Sequence, residues 1–450
     1  MKKTDSICHL VVTYFNGRNA DKLYRITGMA FQKSLSANAF ENLCVQNLFP
    51  LGDIKETVLI NDSAGVNTYK AVFSSATVAF LLGLDKDDKI KTFLFKPFDE
   101  SKEKKNYRVA STNPMSTALD HLVDSVVQPY ISLQATTGLS IAVLKNNRTF
   151  FYGYGETAKG NKVIPDQNTI FEIGSITKTF TAILLAEAVN SGMANLNDPI
   201  NKYLPANVPP LNYAGVPITL KTLSNHSSGL PGMPSNMRPA DISNPYSDYD
   251  TSNLIDFYKN FKTIRQPGQK YEYSNLATGT LGYILEKLFK KNYETLIIEK
   301  ICNPIGMKDT RINITMKDSS RFAKGYNPYG YYNPPWSFKV LAGAGAIRST
   351  SSDLMKYAKA NLGNAPESLK KAIMLTHQVT FNHVAKVGLG WHIIKPGKDE
   401  LIFHNGETGS FTSYLAINLE KKMAVIILSN TSIGTEDAGD AIMIWLETGQ

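Results

Sequence analysis

The chain has 450 residues, enough for two or three domains with a substantial core. Its 43% hydrophobic and 19% charged residues are ordinary for a soluble globular protein. The net charge of +9 comes from scattered lysine and arginine side chains, which disfavours nucleic acid as a partner. The cysteines Cys8, Cys44 and Cys302 are too few and too scattered for a disulfide framework or a zinc site, so we expect neither a metal nor another cofactor. Pairing of Cys8 with Cys44 is left open.

Residues 1–98 are predicted to form a small α+β unit. Ile7, Leu10, Val11 and Tyr14 have helical spacing, and Ala37–Leu48 predicts another helix. Four strand-like runs follow, over Leu51–Ile60, Asn67–Ser74, Ala76–Leu82 and Lys89–Phe95. Helices followed by a curved antiparallel sheet resemble a cystatin-like cone. This pattern implies an accessory domain for packing or docking, with a ligand site as the less favoured alternative.

The charged segment 99–114 is predicted to be a linker, and a second domain is predicted over 115–450. It opens with an amphipathic helix from Leu119 to Tyr130, followed by two strands that form a hairpin around Asn146-Asn147. The two hairpin strands are predicted over Leu139–Lys145 and Thr149–Tyr154. Near the end of the chain, four more strands are predicted over Val387–Ile393, Leu401–His404, Phe411–Asn418 and Met423–Leu428, and a final helix over Glu436–Leu446. Because strands at both ends bracket a helical middle, we expect one antiparallel sheet flanked by helices plus a helical subdomain.

The stretch Phe171–Val189, FEIGSITKTFTAILLAEAV, carries the first chemical signal. After Ser175 the residues are apolar almost all round, which is typical of a helix buried inside a protein. Lys178 follows three residues later and should share a helical face with Ser175. Burial can lower the pKa of a lysine enough for it to act as a base toward a serine nucleophile. The alternative is an N-cap serine beside a solvated lysine.

Two later motifs give further candidates. Tyr273-Ser274-Asn275 opens another predicted helix, where a tyrosine could relay a proton and an asparagine amide could bind a carbonyl. His404-Asn405-Gly406 ends a predicted strand. Each motif alone has a simpler reading, since Asn275 could be an N-cap and His404 a histidine on a strand edge. Two long loops, Met233–Thr251 and Tyr326–Trp336, are of the length that is usually functional or disordered.

In this order, Ser175-x-x-Lys178, Tyr273-x-Asn275 and His404-x-Gly406 resemble the motifs of the serine β-lactamase and penicillin-binding-protein superfamily. The phrases LSNHSSGLPG (223–232), GAGAIRSTSSDL (343–354) and HNGETGSF (404–411) strengthen the resemblance. It covers about residues 115–450 and is closest to the branch of bacterial class C β-lactamases, D,D-carboxypeptidases, D-aminopeptidases and related esterases. A lysine usually begins the third motif in class C β-lactamases, whereas this chain has His404.

The resemblance implies a serine hydrolase that forms an acyl-enzyme with an amide or ester, such as a D-amino-acid peptide. It implies Ser175 as nucleophile, Lys178 and Tyr273 as general base and acid, and Asn275 as substrate ligand. His404 and Gly406 would line the substrate, and the backbone N–H groups of Ser175 and Glu407 would form the oxyanion hole.

Two other functions stay open at this point: a class C-like β-lactamase, and a penicillin-binding sensor with little turnover. The partners implied are a small-molecule or peptide substrate, with no nucleic acid, no stable membrane insertion and no named partner for the N-terminal unit. The resemblance implies an extracytoplasmic location, periplasmic or secreted. The N-terminal stretch is itself a poor secretory signal, so we expect a signal that is absent from this chain, with a cytosolic protein as the alternative.

Overall fold

The computed structural model describes residues 3–63, 65–73, 76–98 and 103–449. The chain forms two compact units, Met1–Glu100 and Ser101–Gln450. The first unit has one apolar core, and the second has two. Among the described residues, no helix is long and apolar enough to cross a membrane.

The first unit places four helices before a four-stranded antiparallel meander. The helices are α1 (Lys3–Asn16), α2 (Ala20–Arg25), α3 (Met29–Ser34) and α4 (Ala37–Leu43). The strands pair in chain order as β1 (Ile54–Ser63), β2 (Val66–Phe73), β3 (Thr77–Leu84) and β4 (Ile90–Pro97). The helical and strand segments predicted from the sequence are therefore present, with shifted ends.

The buried face of α1 differs from the predicted one. The helix buries Cys8, Val11 and Phe15, whereas Leu10 is 37% exposed. The aromatic ring of Phe15 packs against Phe49 and Phe73 in the core, which rotates the helix toward these large side chains. Both cysteines of this unit, and Cys302 in the second, are buried free thiols.

The predicted linker 99–114 falls partly outside the described residues, which omit 99–102. From residue 103 onward the segment belongs to the second unit and packs against the rest of it. Val109 is buried in one of that unit's cores, Arg108 forms an ion pair with Asp124, and Asn113 donates a hydrogen bond to Tyr154. A charged composition predicted a solvated connection, but these three contacts fix the segment to the folded unit.

The second unit is built on one antiparallel sheet, as the sequence pattern predicts, and its described part has eight strands. Its strands are β5 (Gly138–Lys145), β6 (Arg148–Gly155), β11 (Phe381–Asn382), β12 (Lys386–Val387), β13 (His392–Ile394), β14 (Leu401–Glu407), β15 (Thr412–Asn418) and β16 (Met423–Ser429), in the order β11-β12-β13-β14-β15-β16-β5-β6. The single predicted strand Val387–Ile393 is wrong, because the chain turns at residues 388–391 and forms two short strands that pair with each other. The pairing of β16 with β5, with Val425 opposite Val143, joins the two ends of the unit. Asn146 and Asn147 turn the hairpin with φ of 50° and 61°, as predicted.

The second unit also contains two small sheets, each made of two-residue strands. These strands are β7 (Phe171–Glu172), which pairs with β10 (Arg348–Ser349), and β8 (Asn212–Tyr213), which pairs with β9 (Val216–Pro217). The helices of the unit are α5 (Ala118–Ile131), α6 (Thr177–Asn190), α7 (Leu220–Ser224), α8 (Thr251–Asn260), α9 (Asn275–Phe289), α10 (Tyr293–Ile297), α11 (Asn303–Ile305), α12 (Ser351–Asn361), α13 (Glu367–His377) and α14 (Glu436–Thr448).

Both faces of the large sheet are covered by helices. Alternate residues of β5 point to opposite faces, so Ile141 and Val143 join the core beneath α5 and α14, whereas Ala142 and Leu144 join the larger core around α6. Ile442 and Met443 of α14 are buried on the first face, as predicted. The larger core extends into the helical middle of the unit and surrounds the Phe171–Val189 stretch.

Candidate active site

Ser175 and Lys178 meet at the start of the most buried long helix. A single 3₁₀ turn, Gly174–Ile176, leads into α6, and Ser175 is partly exposed there. Lys178 lies one turn further and is fully buried. Its Nζ is 2.8 Å from Ser175 Oγ. The three-residue spacing therefore brings the amine and the hydroxyl into contact, as expected for one helical face.

The amine of Lys178 has two further partners, and both are carbonyl oxygens. Nζ donates to Asn275 Oδ1 at 2.8 Å and to the backbone oxygen of Ala344 at 2.7 Å. No carboxylate forms an ion pair with Lys178 among the described residues, and burial lowers its pKa well below the usual value. A neutral amine has two N–H donors and one lone pair. The two carbonyls are placed to accept the two N–H groups of the neutral form, whose lone pair would then face the Ser175 hydroxyl.

The loop after Leu341 fits closely against α6. Thr181 Oγ1 donates to the Gly343 oxygen at 2.8 Å, and Thr177 Oγ1 accepts from the Ile347 N–H at 3.2 Å. These contacts satisfy threonine hydroxyls inside an otherwise apolar helix, and they hold the Ala344 oxygen against Lys178. The GAGAI phrase was visible in the sequence, but its role as a carbonyl partner of the lysine was not predicted.

Tyr273 and Asn275 come from the segment that begins α9. Ser274, not Asn275, caps this helix, because its Oγ accepts from the Ala277 N–H at 2.9 Å. Asn275 is thereby free to accept from Lys178, and its Nδ2 donates to Tyr246 Oη at 3.1 Å. The ring of Tyr273 lies 4.8 Å from Lys178 Nζ. Burial raises the pKa of Tyr273, and interaction with the Ser175 hydroxyl partly offsets this.

Two glycines allow strand β14 to lie against the 3₁₀ turn Gly174–Ile176. Gly174 has φ of +47°, and a Cβ there would lie 2.7 Å from the backbone nitrogen of Glu407. A Cβ on Gly406 would lie 2.1 Å from the backbone oxygen of Ile173. Only glycine fits at either position. The backbone of Glu407 is thus brought beside the residue preceding Ser175.

One edge of β14 is open where it passes Ser175. Strand β13 pairs with β14 only as far as Phe403, so the edge beyond that residue has no neighbouring strand. The Thr408 N–H donates to the Phe411 oxygen on the β15 side at 2.9 Å. Because bonded pairs alternate in an antiparallel ladder, the N–H of Glu407 points to the open side.

The structure changes the expectation for His404. Its side chain is fully buried beneath β14, and it does not line the pocket that contains Ser175. Its Nδ1 donates to the Asn405 oxygen at 2.6 Å. Burial, followed by the nearby His392, lowers its pKa well below the usual value. The contact of His404 with substrate therefore stays a prediction, and in this geometry the neighbouring Asn405, not His404, lines the pocket.

Two further histidines surround Tyr273 and were not predicted as site residues. The ring of His226 lies 4.5 Å from that of Tyr273, and its Nδ1 accepts from the Ser274 N–H at 3.1 Å. His392 lies 5.0 Å from His404, ring to ring, and burial lowers its pKa to about 4. His226 belongs to the LSNHSSGLPG phrase, which was the available signal, whereas nothing in the sequence marked His392.

A pocket of about 640 Å³ opens above Ser175. Tyr246 and Trp336 line it, with ring centroids 5.3 Å apart. They come from the two long loops singled out in the sequence, and these loops are tied together because Trp336 Nε1 donates to the Ser243 oxygen at 2.9 Å. Among the described residues there is no cluster of histidine, cysteine or carboxylate side chains that could hold a metal ion.

The family model for Beta-lactamase matches residues 123–450. The chain belongs to the Beta-lactamase family. It is an enzyme, a serine hydrolase of this family, and its recognition from three ordered motifs is confirmed.

Relatives and solved structures agree with this membership. The chain is 29% identical over 351 residues to a beta-lactamase of Pseudomonas fluorescens, covering 70% of this chain and 94% of the relative. It is 27% identical to the D-alanyl-D-alanine-carboxypeptidase/endopeptidase AmpH of Escherichia coli, covering 69% and 84%. A solved class C beta lactamase aligns with a TM-score of 0.65 and 26% identity over 74% of this chain and 98% of that one. The second unit therefore has the fold of a Beta-lactamase family hydrolase.

Proposed function

We propose that this protein hydrolyses amide or ester substrates through an acyl-enzyme on Ser175, with Lys178 as the general base. The observation that carries the proposal is the environment of the Lys178 amine. Two carbonyl oxygens accept its N–H groups, and Ser175 Oγ lies 2.8 Å away at the third position. This arrangement suits a neutral amine whose lone pair removes the serine proton.

The proposed acylation step uses groups already in place. Ser175 Oγ attacks the substrate carbonyl carbon and passes its proton to Lys178 Nζ. The carbonyl oxygen becomes an oxyanion that accepts from the backbone N–H groups of Ser175 and Glu407. The proton then moves by way of Tyr273 to the leaving group as the scissile bond breaks. Water attacks the resulting ester, and the same groups act in reverse to release the acid and restore Ser175.

Substrate binding is proposed along the open edge of β14. The backbone of Gly406 and Glu407 would pair with the substrate, and the Asn275 amide would contact its carbonyl region from the opposite side. His404 is better suited to hold the Tyr273 side chain in place, since their ring centroids are 6.3 Å apart and the histidine is buried. We therefore propose that His404 is a positioning residue that does not touch the substrate.

For substrate class we propose a D-amino-acid peptide, as in a D,D-carboxypeptidase or D-aminopeptidase, or an ester. Relatives are named both beta-lactamase and carboxypeptidase/endopeptidase, so β-lactam hydrolysis is the second candidate. Release of D-alanine from a D-alanyl-D-alanine peptide and hydrolysis of a chromogenic cephalosporin, measured side by side, distinguish the two.

We also propose that residues 1–98 form a cystatin-like accessory domain, with residues 115–450 as the catalytic domain. The helices followed by a four-stranded meander support this assignment. An extracytoplasmic location is proposed from the family resemblance, and fractionation of the native organism with an antibody against this protein tests it.

Covalent labelling tests the proposed function. After incubation with a fluorophosphonate or a penicillin, mass spectrometry should find one adduct, on the peptide that contains Ser175. Ser175→Ala should give no adduct while keeping its fold, because alanine is a good helix former in this position. A wild-type adduct that disappears with time indicates turnover, and a permanent penicillin adduct indicates the sensor. Equal labelling of the variant and wild type would contradict the assignment of Ser175.

A further inference from the structure

The pocket above Ser175 has an unusual charge for a protein of net charge +9. Of the described side chains that line it, Glu407 is the one that carries a formal charge at neutral pH. His392 also lines it but is neutral, because burial lowers its pKa to about 4. Lys178 is buried behind Ser175 and does not line the pocket. A substrate entering this pocket therefore meets an anion and no cation.

The Glu407 side chain stands on the pocket side of β14. Asn405, two residues earlier, lines the same pocket and donates through Nδ2 to Glu436 Oε1 at 2.6 Å. Residues two apart in a strand face the same side, so Glu407 and Asn405 point the same way. Glu407 itself forms no hydrogen bond and no ion pair through its carboxylate with any described residue. Partial burial, followed by the nearby Glu436, raises its pKa, as expected for an anion without a compensating cation.

Aromatic side chains face the same space. Tyr246 and Trp336 form one wall of the pocket, and the neighbouring ring of Phe338 stacks on Tyr246 at 4.4 Å. Indole and phenol faces attract cations, and more strongly when water is partly excluded. A carboxylate would gain nothing from these faces and would be repelled by Glu407.

We infer that Glu407 is a specificity-determining residue that makes this site favour substrates bearing an ammonium group near the scissile carbonyl and disfavour those bearing a carboxylate there. The inference rests on the proposed function, and among its substrates it favours a D-aminopeptidase substrate or an ester over a D,D-carboxypeptidase substrate or a β-lactam. Glu407 would then act in two separate ways. Its backbone N–H would donate a hydrogen bond to the oxyanion, and its carboxylate would attract an ammonium group of the substrate.

A matched substrate series tests the acyl side of the pocket. D-Alanine 4-nitroanilide carries an ammonium group, the N-acetyl derivative is neutral, and the N-succinyl derivative carries a carboxylate, while the leaving group is the same. We expect kcat/KM to fall in that order for the wild type. Glu407→Gln should reduce the ratio of the first to the third by about tenfold, the scale of one partly exposed charge contact. Glu407→Lys should invert the order.

A second pair tests the leaving-group side. Butyrylcholine and 3,3-dimethylbutyl butyrate have the same shape but differ by one positive charge. A change in their ratio in Glu407→Gln would place the ammonium site on the leaving group, and a change in the alanine series would place it on the acyl group. Either result supports the inference. Raising the ionic strength from about 0.05 to 0.5 M should weaken the preference, because exposed charges are screened.

Glu420→Gln is the matched control, since it removes an exposed carboxylate from the turn between β15 and β16. It should leave both ratios at their wild-type values. If Glu407→Gln also leaves both ratios unchanged while mass spectrometry still finds acylated Ser175, the inference is overturned and the proposed function stands. If none of the substrates acylates Ser175, the proposed function fails first.

Discussion

Tyr273 occupies the most crowded position of the site. Its ring lies 4.8 Å from Lys178 Nζ and 4.5 Å from the tilted ring of His226. Burial raises its pKa, so the phenol stays protonated at neutral pH. A neutral phenol can pass a proton from the lysine to the leaving group but cannot act as a permanent base. This environment separates its task from that of Lys178.

Replacing Tyr273 with phenylalanine tests this relay. Tyr273→Phe removes the hydroxyl and keeps the ring contacts, so we expect acylation to slow by about 10²-fold, the usual scale for a lost general acid, with little change in melting temperature. Tyr271→Phe is the matched control, because Tyr271 Oη contacts His392 Nε2 at 2.7 Å and does not face Ser175. Stopped-flow acylation by a nitrophenyl ester measures both. Equal rates for Tyr273→Phe and wild type would place the relay elsewhere.

Residue contacts within one motif could be predicted, whereas contacts between motifs could not. The three-residue spacing was enough to join Ser175 to Lys178, because helix geometry fixes it. Burial of His404 was missed, since β-strand alternation gives two faces without saying which one is covered. His226 and His392 lie far apart in sequence and meet only through the fold. No local pattern could show that burial, followed by the nearby Lys178, lowers the pKa of both.

Among the elements, the turn Gly174–Ile176 and β14 depend on each other. The positive φ of Gly174 allows the turn to approach the backbone of Glu407 closely, and in the proposed mechanism the N–H groups of Ser175 and Glu407 bind the oxyanion. Such donors act only when they are aimed at the developing oxyanion, so a small displacement of β14 matters more for catalysis than for folding.

Gly174→Ala should therefore damage catalysis. The added Cβ would lie 2.7 Å from the Glu407 nitrogen, and we expect kcat/KM to fall by about 10²-fold or more. Gly192→Ala is the control, because Gly192 also has positive φ, +73°, but has open space around it. It should cost about 1 kcal/mol of unfolding free energy through backbone strain and leave the kinetics unchanged. Similar kinetic losses in both variants would show that strain, not β14 displacement, is responsible.

The elements themselves were well predicted where periodicity is strong. The β5–β6 hairpin, the late strands and α14 have clear alternation or helical spacing, and the structure contains them. Predictions were weaker where tertiary packing decides the result. The buried face of α1 differs from the predicted one because Phe15 lies in the core. Residues 103–114, which their composition indicated to be a linker, are held by contacts within the second unit.

For the whole molecule, net charge is a poor guide to the site. The chain carries +9, yet its active-site pocket presents one carboxylate and no cation among the described residues. The second unit instead uses its apolar core to change the chemistry of one lysine. Burial of the first turn of α6 leaves the Lys178 amine with carbonyl and hydroxyl partners among the described residues, and the pKa of the amine falls. In the proposed mechanism, the fold thus prepares Lys178 to act as a base.

The pH dependence of acylation tests this claim most directly. An amine is a base only when unprotonated, so the rate must fall as pH decreases through the pKa of Lys178. Because burial lowers that pKa, the rate of acylation of Ser175 by a neutral ester should fall only at a pH well below the ordinary lysine value of about 10.4 and should already be constant as the pH approaches that value. His392, with a pKa of about 4, should not contribute at neutral or alkaline pH. A rate that rises steadily from about pH 8 toward a break near 10.4 would show a protonated, solvated lysine and would contradict the account.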